Sequence, residues 1–368
     1  MPLIKKARET MTSRERVERA FAFEKTDRVT IGYESNPAAH SHFCAALGLK
    51  QGDNLSFMRA IGADYAGFPL NYIGPRIYPE IMGRVRDGEF GAVMRRVENE
   101  YGHYMDFCDF PLKDATDEEI AAYPLPDPDH YDYEAAGLAI NETINNGFAV
   151  FAGGAGFGNI INKTGKLFGM ELALMHLHEE RGSVMELLDR RLKGTLAVAS
   201  RVIEKNRGKL SFVWMGEDLG TQRAPLISLS MYRRVLKPRH KLFIDMARSY
   251  GLPVLIHTCG SSSWAYGDFI EMGAAGVDAL QPEAADMGPA SLAERFGGRL
   301  NFRGLISTAG PLACGTAKET EEECAGVLET LKPFGGYHFA PSHAIQDNTP
   351  VENVIAMYDA AHRYGAYI

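Results

Sequence analysis

The chain has 368 residues, 45% of them hydrophobic and 23% charged, which is enough apolar material for a full core and excludes a disordered segment. A net charge of −8 and a pI near 5.8, with no basic run, argue against nucleic acid or an anionic membrane surface as partner, since both recruit Lys and Arg to one face. The apolar stretches are strand-sized and interrupted by Gly or Pro, none near the roughly 20 residues of a membrane span, and the opening segment carries no apolar signal core, so a cytoplasmic protein with reduced cysteines is expected.

Thr12 followed three positions later by Glu15 fits a capping box, and Val17, Ala20 and Phe21 then recur at helical spacing, so a first helix is predicted from about Ser13, ending before Thr26 and Asp27. The β-branched run from Arg28 to Tyr33 reads as the first strand. Similar short runs follow at Ala63 to Phe68, Phe148 to Gly153, Leu210 to Gly216, Pro253 to Cys259, Gly276 to Gln281, Leu300 to Leu305 and Gly336 to Ala340, for eight in all. Most lead into amphipathic stretches such as Met231 to Tyr250 and Lys318 to Leu331. Strands alternating with helices imply parallel pairing, and eight of them imply closure, so the expected fold is a single (β/α)8 TIM barrel over 1–368 with an N-terminal helix. The stretch 70–131 breaks the repeat. Its alternating Ala92 to Glu98 and its proline-rich Pro124 to Pro128 predict an insertion after strand two, with a hairpin and a stiff connector, placed over the barrel mouth.

Active sites of such barrels lie at the C-terminal strand ends, and three of these ends are rich in chemistry. The fourth strand runs into Glu217 and Asp218, the fifth into His257 and Cys259, and the eighth into His343. His257 and Cys259 stand two apart in an extended segment, so both side chains face the same way and can address one ion; imidazole and thiolate together suit zinc. His343 is the best third ligand because strand ends converge on one mouth, with Cys314 and Cys324 as rivals; Cys324, on a helix, fits core packing better. Neighbours in a strand point to opposite sides, so one of Glu217 and Asp218 faces the cavity, as a further ligand or a general acid/base. The glycines from Gly153 to Gly158 match neither a Walker loop nor a dinucleotide fingerprint; they are expected to let the backbone pass close to a flat ligand. Tyr33, Tyr72, Trp214, Trp264 and, at the end of the sixth strand, Gln281 are candidates for lining the substrate cavity.

Taken together, Met11-Thr-Ser-Arg-Glu-Arg-Val17 with Asp27-Arg-Val29, Asp218-Leu-Gly-Thr-Gln-Arg223 with Pro225-Leu-Ile-Ser228, His257-x-Cys259-Gly260, Phe296-Gly-Gly-Arg-Leu300, and Ala340-Pro-Ser-His343 with Thr349-Pro-Val-Glu-Asn353 resemble the uroporphyrinogen decarboxylase superfamily over essentially the whole chain. True decarboxylases of that superfamily carry arginines just after the first strand to hold porphyrinogen carboxylates. This chain has Ile31-Gly-Tyr-Glu-Ser-Asn-Pro37 there, without arginine and with an added negative charge. The resemblance therefore leads to the branch of zinc- and corrinoid-dependent methyltransferases, and implies His257 and Cys259 as zinc ligands. That branch has a cysteine at the end of strand eight where this chain has His343.

Exchanging a thiolate for a neutral imidazole makes such a site less negative by one charge and zinc a stronger Lewis acid, suited to a leaving phenolate or alkoxide. The expected activity is transfer of a methyl group from a small methylated compound, an aromatic methyl ether, to the cobalt of a separate corrinoid protein. No corrinoid-binding segment is recognisable in the chain, so the cobamide is expected to come with the partner; a homodimer is left open. Two other readings stand beside it. One is decarboxylation of a small carboxylic acid on the same barrel, and the other is non-catalytic binding of a corrinoid or tetrapyrrole.

Overall fold

The computed structural model describes residues 4–100 and 102–367. Its strands, in chain order, are β1 Thr30–Ile31, β2 Tyr65–Ala66, β3 Val85–Arg86, β4 Val93–Asn99, β5 Gly102–Phe107, β6 Ala149–Gly153, β7 Phe212–Gly216, β8 Val254–His257, β9 Gly276–Leu280, β10 Asn301–Ile306 and β11 Tyr337–Pro341. Eight of these form one sheet in the order β1-β11-β10-β9-β8-β7-β6-β2, with every neighbouring pair parallel. Each of the eight runs expected from sequence overlaps one of them, with β10 and β11 each ending one residue later than expected, and helices fill the intervals, as parallel crossovers require.

The sheet is a nearly closed TIM-barrel-like α/β fold. At the seam between β1 and β2 no ladder forms; Asp64 bridges it instead, its N–H donating to Ile31 O at 2.8 Å and its carboxylate accepting from Ile31 N at 2.7 Å. The same carboxylate pairs with the buried Arg16 and Arg28, so one fully buried acid ties the seam to the N-terminal helix.

That helix, Ser13–Phe21, starts where expected: Thr12 has an extended backbone and its hydroxyl accepts from Glu15 N at 3.1 Å. Val17 and Phe21 enter the barrel interior and join Tyr65, Phe212, Trp214 and Leu255, with Phe21 lying 5.1 Å from Phe212 and 4.6 Å from His338, ring centre to ring centre. Phe212 opens β7, so the helix plugs the N-terminal end of the barrel and leaves the opposite end for chemistry.

The 70–131 stretch does contain a hairpin, β4 against β5, with β3 as a short third strand. Its surroundings are the helices that follow β6: Leu112 N donates to Leu167 O at 2.8 Å, Lys166 lies over the Phe107 ring, and Lys163 over the Phe90 ring.

Candidate metal centre

Strand β8 begins after Pro253, which cannot donate to a ladder, and its four residues Val-Leu-Ile-His are all buried. It ends by presenting His257, 4% exposed, to the C-terminal mouth. The chain then stays extended long enough for Cys259 to follow on the same face, with Cys259 Sγ 3.3 Å from His257 Nε2. Glycine makes the next step possible: Gly260 has φ +70°, and a Cβ there would sit 2.6 Å from the Gly220 backbone. The loops after β7 and β8 thus touch backbone to backbone, sealed by Ser261 N donating to Thr221 O at 2.8 Å. This contact carries Asp218 to Cys259, whose N–H donates to Asp218 Oδ1 at 3.0 Å.

His343, in the loop after β11, turns toward the same point, its ring centre 5.9 Å from that of His257. Ligand atoms of His257, Cys259 and His343 all lie within 4.8 Å of one another, the trio expected from sequence. Tetrahedral zinc with ligands at about 2.0 to 2.3 Å sets its donors about 3.3 to 3.8 Å apart, so the His257–Cys259 spacing fits and the widest pair needs only a small side-chain turn. Neither Cys314, exposed, nor Cys324, buried in the helix Ala317–Leu331, belongs to this group.

The ring of His257 is oriented by a residue that the sequence reading missed. Asp278, on β9 and fully buried, contacts His257 Nδ1 at 2.8 Å, which leaves Nε2 free to act as ligand. Burial alone would discourage charge on this imidazole, yet Asp278 and Cys259 push its pKa well above the ordinary value. The other Asp278 oxygen pairs with Arg303 of β10. Burial works to raise the Asp278 pKa, and Arg303 and His257 outweigh it, bringing it down to about 2. Arg303 lies over the Trp214 ring at 4.5 Å, donates through Nε to Tyr65 OH at 3.0 Å, and approaches Glu34 at 3.5 Å. Trp214 in turn lies 6.3 Å from His257, ring to ring. Arg303 Nη2 and Trp214 Nε1 are buried without a hydrogen-bond partner among the described residues. A signal for both missed residues was available, because Asp and Arg inside otherwise apolar strand runs must find partners in the interior.

The two adjacent carboxylates part company as strand alternation demands. Asp218 stays with the cluster, its Oδ1 3.9 Å from His257 Nε2 and its Oδ2 held by Asn162 Nδ2. Burial raises its pKa, but His257, the Cys259 N–H and Asn162 together hold it below the usual carboxylate range. Glu217, expected as an alternative site carboxylate, faces the other way: it accepts from Ile160 N at 2.7 Å and Ile161 N at 3.0 Å and contacts His240 Nε2 at 3.1 Å. It caps the helix Ile161–Phe168, whose own N-cap, Ile160, has no side chain able to do so.

Among the proposed lining residues, only Trp214 reaches the cluster. Gln281 props the loop behind it, its Oε1 accepting from Gly260 N at 2.8 Å. The Tyr33 hydroxyl is engaged by Ser35 and His40, and its ring packs on Phe57. Tyr72 packs on Tyr131 in the insertion, and Trp264 donates to Ser261 O and packs on Tyr232. The glycine loop after β6 makes its close approach to protein backbone, not to a ligand: Gly154 N donates to Trp214 O at 2.7 Å, and a Cβ on Gly216 would meet Ala155 O at 1.7 Å.

One solved structure is consistent with this architecture. A methyltransferase from Methanosarcina mazei superposes with a TM-score of 0.68 at 16% identity, over 97% of this chain and 100% of that one. Native xylanase 10B from Thermotoga maritima gives a TM-score of 0.39 at 13% identity, over 64% of this chain and 82% of that one. No curated protein sequence matches. The family model described as uroporphyrinogen decarboxylase (URO-D) matches residues 119–364. The match spans more than half of the chain, and the protein belongs to the uroporphyrinogen decarboxylase family.

Proposed function

We propose that this protein is a zinc-dependent methyltransferase that takes the methyl group of an aromatic methyl ether and passes it to the cobalt of a separate corrinoid protein. The observation that carries the reading is the convergence of His257, Cys259 and His343 at the mouth, two imidazoles and one sulfur with their ligand atoms within 4.8 Å. Zinc held there would polarise the ether oxygen and stabilise the departing phenolate. Asp278 fixes the His257 ring by its Nδ1 contact. Asp218, held by Asn162 and the Cys259 N–H and kept ionised beside His257, would complete the zinc shell in the resting state. Trp214, with Arg303 over its ring, backs His257 from the barrel interior.

Glu34 supports the separation from porphyrinogen chemistry. It stands in the segment where arginines would grip carboxylates, and its own carboxylate approaches Arg303 at 3.5 Å, so the buried Arg303 already faces two acids. The likeness to the methyltransferase from Methanosarcina mazei is in keeping with this reading.

One observation favours a second reading, decarboxylation of a small acid: the unpartnered Nη2 of Arg303 would accept a single carboxylate. A single experiment separates the two. The purified chain is analysed for zinc and then mixed with a methoxyarene and cob(I)alamin, while the visible spectrum of the cobalt and released carbon dioxide are followed. The methyl-transfer reading expects about one zinc per chain and methylcobalamin formation, both lost in His257→Ala. It fails if the wild type holds well under one zinc and His257→Ala behaves like it, or if carbon dioxide appears from an acid with no methyl acceptor present.

A further inference from the structure

A cavity of about 470 Å³ is lined by residues of the insertion, of the helix Ile161–Phe168 and of the long helix Gly182–Lys205, and by none of His257, Cys259 and His343. That volume falls in the range of small-molecule sites. Its walls are apolar, formed by Leu70, Phe90, Leu125, Phe157 and Val198. Among its lining cations, which also include the exposed Lys193, two are more enclosed, Lys163 and Arg191. Neither makes an ion pair among the described residues: Lys163 Nζ lies 4.0 Å over the face of Phe90, and Arg191, 7% exposed, has only long contacts of 3.4 and 3.5 Å to the Asn159 and Ile160 carbonyls. Their surroundings do not neutralise them fully. Glu89 and, farther off, Asp87 act on Lys163, with Lys166 as a further like charge, and Glu217 acts on Arg191 although its oxygens are taken by backbone N–H groups and His240. Arg190, at the edge, is committed to the Ala121 and Tyr123 carbonyls.

We propose that this cavity is a binding site for an aromatic monocarboxylate, its ring held by the apolar walls and its carboxylate by Lys163 and Arg191. Buried cations are rarely left without an acceptor, because the uncompensated charge is expensive in an apolar setting. Lys163 reflects that expense, with burial and Arg191 pushing it down to about 7. An arriving carboxylate supplies the missing partner, and Glu89, which lines the same cavity, disfavours a more highly charged anion. The site is separate from the methyl-transfer chemistry but shares a helix with it: Asn162, which holds Asp218, is the neighbour of Lys163.

The test is calorimetric titration of benzoate, benzamide and inorganic phosphate into the full chain and into Lys163→Gln, Ala197→Trp and His257→Ala. Ala197 lines the cavity, so Ala197→Trp fills it without touching a charge. Benzoate is expected to bind wild type and His257→Ala equally, and at least about ten-fold more tightly than benzamide or phosphate, with Lys163→Gln and Ala197→Trp each weakening it by about ten-fold or more. Unchanged binding in both cavity variants, loss in His257→Ala, phosphate binding as tight as benzoate, or no benzoate binding up to about 10 mM would each overturn the proposal. Because the readout is binding, and the variant that disables the metal trio must retain it, failure here is distinct from failure of the methyl-transfer reading.

Discussion

Replacing Asp278 by Asn changes few atoms but breaks a two-sided arrangement, since an amide that accepts from Arg303 must donate to His257 Nδ1, which moves the ring proton to Nε2. Zinc affinity is expected to fall by about 10- to 100-fold, as measured by competition with a chromogenic chelator. Stability should drop by about 3 kcal/mol in urea unfolding, because Arg303 is left as a buried, poorly compensated charge. Adding Arg303→Met should recover most of the stability and none of the zinc affinity, which separates the positioning role of Asp278 from its structural one. Glu217 gives the opposite pattern. Glu217→Gln puts an amide N–H against backbone donors of the helix Ile161–Phe168 and should destabilise by about 2 kcal/mol while zinc content stays unchanged. His338, buried under the site, sets a pH window. Its Nδ1 contacts Thr30 Oγ1 at 2.7 Å and its Nε2 contacts Asn301 Oδ1 at 3.2 Å, and burial with Arg303 nearby brings its pKa down to about 3. The unfolded chain takes up this proton first, so the contribution of neutral His338 is complete above about pH 6.5 and is lost as pH falls toward about 3. In His338→Gln the pH dependence of the urea midpoint should flatten across that window.

At the scale of strands and loops, the barrel was readable because parallel strands are buried on both faces and so appear as unbroken apolar runs between turn residues. The convergence of His257, Cys259 and His343 was readable for a related reason: strand ends of a barrel meet at one mouth, and the two-residue spacing of His257 and Cys259 settles their common face. Strand alternation also required Glu217 and Asp218 to diverge, but which of them turned inward depended on a helix N-terminus supplied by the segment after β6, far away in sequence. The environments of Tyr33, Tyr72 and Gln281 were likewise set by neighbours distant in the chain, Phe57, Tyr131 and Gly260. For the glycines after β6, composition revealed a close approach but not its object, which proved to be β7. The loop contact at Gly260 can be probed directly. Gly260→Ala places a Cβ against the Gly220 backbone at positive φ and should destabilise by about 1 to 2 kcal/mol while displacing Cys259, seen as weaker zinc retention during dialysis against a chelator.

For the molecule as a whole, stability depends on both ends of the barrel being filled, one by side chains and the other by the site. Phe21→Ala should remove about 3 to 5 kcal/mol, read as a lower urea midpoint, because Phe212 and His338 lose the ring that covers them. None of the helices among the described residues is long and apolar enough to cross a membrane. The way the barrel is sewn together has a further consequence during synthesis. Thr30 and Ile31 have their ladder partners in His338 and Phe339, 308 positions later. A ribosome releases the early residues long before those partners exist, so the helix behind β1 emerges with no hollow yet to stopper. Residues 13–31 therefore wait long for their place, and it is there that a folding helper would find an apolar face to hold.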